Sequence, residues 1–86
     1  MAARFWVGES GNFSDTAHWA ATTGGAGGQS VPGTSDTATF DALSAPLGGT
    51  CTIDQAVSVQ SWTWGAFTGT IDNSANHNVT CNVAAG

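Results

Sequence analysis

From residue 36 onward, apolar or small residues alternate with threonine and serine at a period of two. Thr37-Ala38-Thr39-Phe40-Asp41, Thr50-Cys51-Thr52-Ile53-Asp54 and Thr68-Gly69-Thr70-Ile71-Asp72 share one order: Thr, small, Thr, large apolar, Asp. In extended backbone, successive side chains point to opposite faces, so the threonines line one face and the apolar residues the other. The closing Asp can accept from nearby backbone N–H groups and so ends each strand in a turn. Val57-Ser58-Val59-Gln60-Ser61-Trp62 and Val79-Thr80-Cys81-Asn82-Val83 alternate in the same way. All of these segments predict short β-strands.

Residues 1–35 have another texture. Gly, Ser and Thr dominate, punctuated by Phe5, Trp6, Phe13 and Trp19, and no 3.6-residue apolar period survives. At most one helical turn is expected, over Ser14-Asp15-Thr16-Ala17-His18-Trp19 with Ser14 as its N-cap. Gly24-Gly25-Ala26-Gly27-Gly28, closed by Val31-Pro32-Gly33, reads as a flexible or tightly turning stretch. The wide spacing of the aromatics predicts an irregular wrap or cap, pinned at a few points onto a flat surface.

The spacing of the strand patterns suggests how they stack. The second and third Thr-x-Thr copies begin at Thr50 and Thr68, and the two Val-rich segments at Val57 and Val79. A repeated unit of roughly 18–22 residues holding two or three short strands is the signature of a solenoid, in which each turn pairs with the turns above and below. Ile53 is then expected over Ile71, and Asp54 over Asp72. The first copy, beginning at Thr37, lies too close to the second for a full turn and belongs to the lead-in or to a different face. The whole chain therefore reads as a single all-β domain: an irregular aromatic-rich N-terminal wrap over 1–35, then short strands of a β-solenoid (parallel β-helix) over 36–86. A small β-sandwich or jelly roll is the alternative, although the Asn-Gly or Asp-Gly hairpin signal it favours is missing. Only Ala84-Ala85-Gly86 follow the last strand, so the final turn is expected to be continued by more chain or capped by another subunit.

Composition narrows the function. The chain has 86 residues, a single Arg, no Lys and six acids, for a net charge of −5. One cation cannot neutralise a run of phosphates, so no nucleic-acid partner is expected. A basic interfacial helix is ruled out too, and no apolar run is long enough to cross a bilayer, so membrane insertion is not expected. Val, Ile, Leu and Phe number fourteen, a thin supply of large side chains for a core. Four tryptophans partly compensate. Association should supply the rest, so a homo-oligomer is expected.

Chemistry motifs are sparse. Cys51 and Cys81 are too few for a disulfide framework and read as small, inward, reduced hydrophobes. His18 and His77 have no cysteine at metal-ligand spacing. Asp15, Asp36 and Asp41 could converge on Ca²⁺, but capping of turns and strand ends is the commoner use of such residues. Asp54 and Asp72 could form an acid pair of the kind that cleaves glycosides, yet both occupy a strand-ending position and read first as turn formers. No catalytic residue, metal or cofactor is expected. Trp62 and Trp64 lie opposite Val59 and Ser61 by parity and are expected at the surface, where an aromatic pair marks a protein contact or a sugar platform. With Trp6, Phe13 and Trp19 of the wrap, they are the candidate protein-contact residues.

Phe5-Trp6-Val7-Gly8, Gly11-Asn12-Phe13-Ser14-Asp15, His18-Trp19, the glycine run 24–28, Val31-Pro32-Gly33 through Asp36, and Phe40-Asp41 together carry a resemblance. Over residues 4–54 the chain resembles the opening module of bacteriophage tail-fibre-like and other virion proteins, and of large bacterial surface proteins whose following region is a β-solenoid. Phe13 stands where that module commonly has Trp. The resemblance supplies no catalytic residues. It implies a non-enzymatic virion structural protein, a fibre-base, attachment or capsid-decorating module that contacts other virion proteins and forms oligomers, with a trimer expected by analogy with fibres. Met1–Gly8 has no secretion signal, which fits a virion component assembled in the host cytoplasm. The alternative is the N-terminal part of a carbohydrate-binding or depolymerising adhesin at the cell surface.

Overall fold

A computed structural model describes residues 3–81 of the chain. The fold is all-β, and no α-helix occurs among the described residues. Their short strands follow in chain order: β1 Ala3–Trp6, β2 Gly11–Asn12, β3 Trp19–Ala20, β4 Thr37–Phe40, β5 Thr50–Thr52, β6 Val57–Val59, β7 Ser61–Trp64, β8 Thr70–Asp72 and β9 Val79–Cys81. The strand predicted over 79–83 is thus present as β9, its last two positions lying outside the described residues.

The strands form small sheets ordered β3-β1-β4-β7, β2-β5-β8 and β6-β9. Among the described residues every pairing is parallel except β1 with β3. From β4 onward the chain visits the sheets in rotation, and each strand pairs with the one three later: β4 with β7, β5 with β8, β6 with β9. Thr37 lies level with Ser61, Thr50 with Thr70 and Val57 with Val79, so the length of chain between paired strands varies little from sheet to sheet.

The alternation works as the sequence implies. Ala38, Phe40, Cys51, Val57 and Val59 are buried, while the intervening Thr37, Thr39, Thr50, Thr52 and Ser58 are half-buried. The first Thr-x-Thr copy, β4, lies in a different sheet from the other two. The predicted stacking partners, however, are shifted. Ile71 lies beside Cys51, not Ile53, and Asp72 lies beside Thr52, not Asp54. A slip of two positions keeps every side chain on its own face, so alternation alone could not set this register.

The N-terminal third is more regular than a wrap. It supplies β1 and β2 to the same sheets as β4 and β5, and β3 turns back antiparallel along the far side of β1, with Trp6 level with Trp19. Its helical segment is a 3-10 turn, Thr16–His18, capped by Asp15 rather than Ser14: the Asp15 carboxylate accepts from Ala17 N–H at 2.9 Å. Ser14 instead bonds Asp54, far along the chain. The glycine run is pinned, with Gly28 N–H donating to Thr16 O and Gln29 N–H to Trp19 O.

The aromatics explain how so short a chain builds a core. Phe40 lies at the centre of Trp6, Trp19, Trp62, Trp64 and Phe67, with ring centroids 5.0–5.9 Å away. Such stacked and edge-on contacts each add to the burial of large apolar area. The core draws on both parts of the sequence, joining Trp6, Phe13 and Trp19 to Ala38, Phe40, Cys51, Ile53, Val57, Val59 and Trp62.

Candidate functional site

Four of the five candidate contact residues turn inward. Trp6, Phe13, Trp19 and Trp62 are buried, so their aromatic surface packs inside this chain and is not offered to a partner. For Trp62 this corrects the expected exposure. Exposure by parity requires one extended strand from Val57 through Trp64, but the chain turns a corner at Gln60 between β6 and β7. Beyond a corner the inward parity starts afresh. Of the five, Trp64 alone is exposed, at 47 %.

Two of the buried indoles are tied to main chain: Trp6 Nε1–H donates to Glu9 O at 2.9 Å and Trp19 Nε1–H to Phe13 O at 2.7 Å. Trp62 Nε1 has no acceptor among the described residues. His18 stacks flat on Trp6, centroids 4.6 Å apart, with Nδ1 2.7 Å from Val7 O. Gly11 lies against that imidazole so closely that a Cβ there would overlap Nε2.

The carboxylates are held in local structure. Asp36 accepts from Gly33 N–H, and Asp41 from Thr23 Oγ1, Leu43 N–H and Ser44 Oγ. Glu9 accepts from Leu47 N–H and Gly49 N–H, fastening the loop before β5. Asp54 accepts from both Ser14 N–H and Ser14 Oγ–H. The stack of Asp54 on Asp72 expected from the Thr-x-Thr spacing is not formed, because the register places Asp72 beside Thr52. Among the described residues no group of three or more His, Cys, Asp or Glu gathers, and no helix is long and apolar enough to cross a membrane.

What remains open is one end of the strand set. Strands β7, β8 and β9 are the last in their sheets, so each has one edge without a neighbouring strand among the described residues. Behind them lies an apolar cavity of about 330 Å³, lined by Ile53, Trp62, Trp64, Ile71, Asn73, Val79 and Cys81. Asn73 brings the amide to this lining, beside the Trp62 and Trp64 indoles and the Cys81 thiol. That amide closes the 73–77 turn, donating to His77 O and accepting from His77 N–H. Cys81 faces this cavity together with Val79, as their shared parity implies, but both are exposed because no strand lies beyond β9 among the described residues. The Cys81 Sγ lies 3.9 Å from Gln60 O. At the opposite end β3 lies on β1 beside the buried Trp6, Trp19 and Phe13, and β2 and β6 are the terminal strands of the other two sheets.

Comparison with protein-family models, with curated proteins and with solved structures finds no match for this chain.

Proposed function

We propose that this chain is a non-enzymatic structural module that works through protein contacts, as the fibre-base, attachment or capsid-decorating part of a bacteriophage particle assembled in the host cytoplasm. Its architecture on this reading is a short stack of β-solenoid turns. The rotation of the chain through its sheets, with each strand pairing the third strand after it, supports that architecture. The virion assignment rests on the resemblance of residues 4–54.

The observation that carries the contact role is the unequal burial of the terminal strands: β3 and β6 bury Trp19, Ala20, Val57 and Val59, whereas β7 and β9 leave Trp64 and Val79 exposed beside an apolar cavity. Unpaired edges beside apolar surface favour a polypeptide partner, which can supply both hydrogen bonds and burial. The adhesin reading draws on Trp64, a half-exposed ring suited to stacking on a sugar. A sugar site also needs convergent free polar groups, and the Asn73 amide in the same cavity lining is already engaged. The contact reading is therefore preferred.

Incorporation into particles tests it. Trp64→Ser is expected to lower recovery of the chain in purified virions while leaving its folded fraction unchanged. Unaltered incorporation would remove Trp64 from the contact. Hydrolysis of a host polysaccharide by the purified chain, lost on Asp54→Asn or Asp72→Asn, would overturn the non-enzymatic reading.

A further inference from the structure

Of the three open edges, β8 shows which backbone groups face outward. Thr70 N–H donates to Gly49 O at 3.0 Å, and Asp72 O accepts from Ile53 N–H at 2.8 Å. Both residues thus direct their backbone toward β5. Backbone groups alternate sides along a strand, so the N–H and C=O of Ile71, between them, face the open side. In an antiparallel ladder, two residues directly opposite can exchange both of their N–H···O=C bonds. An Ile71 facing a second Ile71 satisfies this condition through a two-fold axis.

We infer that the open end is the face on which a second copy of this chain docks, end to end, with the two-fold axis passing between the paired Ile71 residues of β8. This rests on the reading of the open end as a contact face and names its partner. The same operation lays β7 of one copy along β9 of the other, so all three edges gain antiparallel neighbours. Trp64 then comes to lie over Val79 and Cys81 of the second copy, and the two cavities merge into one core. The chain already accepts one antiparallel neighbour at its other end: β3 lies on β1 within the sheet that ends in β7. Charge permits the contact, because Asp72 is the only charged residue in β7, β8 and β9. With Ile71 on the axis, each Asp72 faces a threonine, Thr70, rather than its own copy. The described chain measures 29 × 28 × 22 Å, so an end face offers each copy at most on the order of 600–800 Å², the scale of a small specific interface. A two-fold is also the only closed symmetry that brings one surface onto itself, which separates this contact from the trimer implied by analogy with fibres.

The test is the mass of the full chain in solution under reducing conditions, by light scattering across a concentration series. Two chains per particle are expected. Ile71→Pro removes a backbone donor that points away from β5, and proline is tolerated where an edge N–H faces outward. It should give a single folded chain, as should Trp64→Ser, with association weakened at least about tenfold. Circular dichroism of each variant establishes folding, and a two-chain mass that persists in both folded variants would overturn the inference. So would a single-chain or three-chain mass for the unaltered protein, which would leave contacts with other particle proteins untouched. Loss of particle incorporation is the separate readout for the contact role itself.

Discussion

Phe40 and Trp64 occupy matched positions on the paired strands β4 and β7, yet Phe40 is fully buried and Trp64 is 47 % exposed. Both side chains point inward. The difference comes from what lies beyond them: Phe40 has β1 on one side and β7 on the other, whereas Trp64 lies on the last strand of its sheet. Position in the stack, rather than residue type, decides the burial.

That relationship predicts unequal costs for similar truncations. Phe40→Ala removes the ring at the centre of the aromatic cluster and leaves a cavity that five neighbouring rings cannot all fill. It should cost about 3–5 kcal/mol of stability. Trp64→Ala, on the larger side chain, should cost only about 2 kcal/mol in the isolated chain, because half of its surface is already in water. Urea unfolding followed by tryptophan fluorescence measures both, and equal losses would contradict the burial difference.

The thiols should separate in the same manner. Cys51 is buried, and that burial, helped by the negative charge of Asp54, pushes its pKa up to about 12. The thiolate is the reactive form, so Cys51 should stay unmodified for hours by a thiol reagent at pH 8. Cys81 is exposed and should react promptly in dilute protein. One fast thiol per chain is expected under native conditions and two in denaturant, and two fast native thiols would show that Cys51 is accessible.

The alternation of apolar and polar positions makes the strands and their inward faces legible, as Ala38, Phe40, Cys51 and Val59 show. Register is not legible, because the motif copies align Thr50 with Thr68 while the strands pair Thr50 with Thr70. That slip of two changes no side chain's face, so it is decided by corner lengths and loop packing, for which alternation has no signal. Trp62 escapes the parity rule because Gln60 is a corner rather than a strand position. The pairing of β4 with β7 has a sequence signal in the likeness of Thr37-Ala38-Thr39-Phe40 to Ser61-Trp62-Thr63-Trp64. The N-terminal strands β2 and β3 have none, since they are two residues each and depend on tertiary contacts.

The glycine run offers a test of close approach. A Cβ on Gly27 would overlap the main-chain carbonyl of Ala17, whereas one on Gly28 would meet nothing within 4 Å. Gly28 instead has φ +106°, a conformation that L side chains rarely adopt. Gly27→Ala should destabilise by about 1–3 kcal/mol through steric displacement of the 3-10 turn. Gly28→Ala should cost about 1 kcal/mol through backbone strain alone. Thermal melts of the two variants compare them, and a neutral Gly27→Ala would mean that the run does not pack against residues 16–18.

The Ser14–Asp54 contact ties the N-terminal segment to the end of β5 and should make stability depend on acid. Slight burial pushes the Asp54 carboxyl up, but the bonds from Ser14 Oγ–H and N–H, with its own backbone N–H and the nearby charge of His77, outweigh it. The group therefore lies below the ordinary carboxyl value of 3.8. A carboxyl whose pKa is lower folded than unfolded stabilises the fold fully above the unfolded value, and that contribution is lost as pH falls through the folded one. The contact is largely exposed, so its worth near neutrality is about 1 kcal/mol after solvent screening. Asp54→Asn should therefore melt a few degrees below the unaltered chain at pH 7, on the scale expected of so small a protein. The two melting curves should converge as the pH is lowered from about 5 toward 2. Ser14→Ala should show the same convergence, because it removes the donor rather than the charge. A gap between the curves that stayed constant with pH would assign the effect of these substitutions to packing and not to the ionised carboxylate.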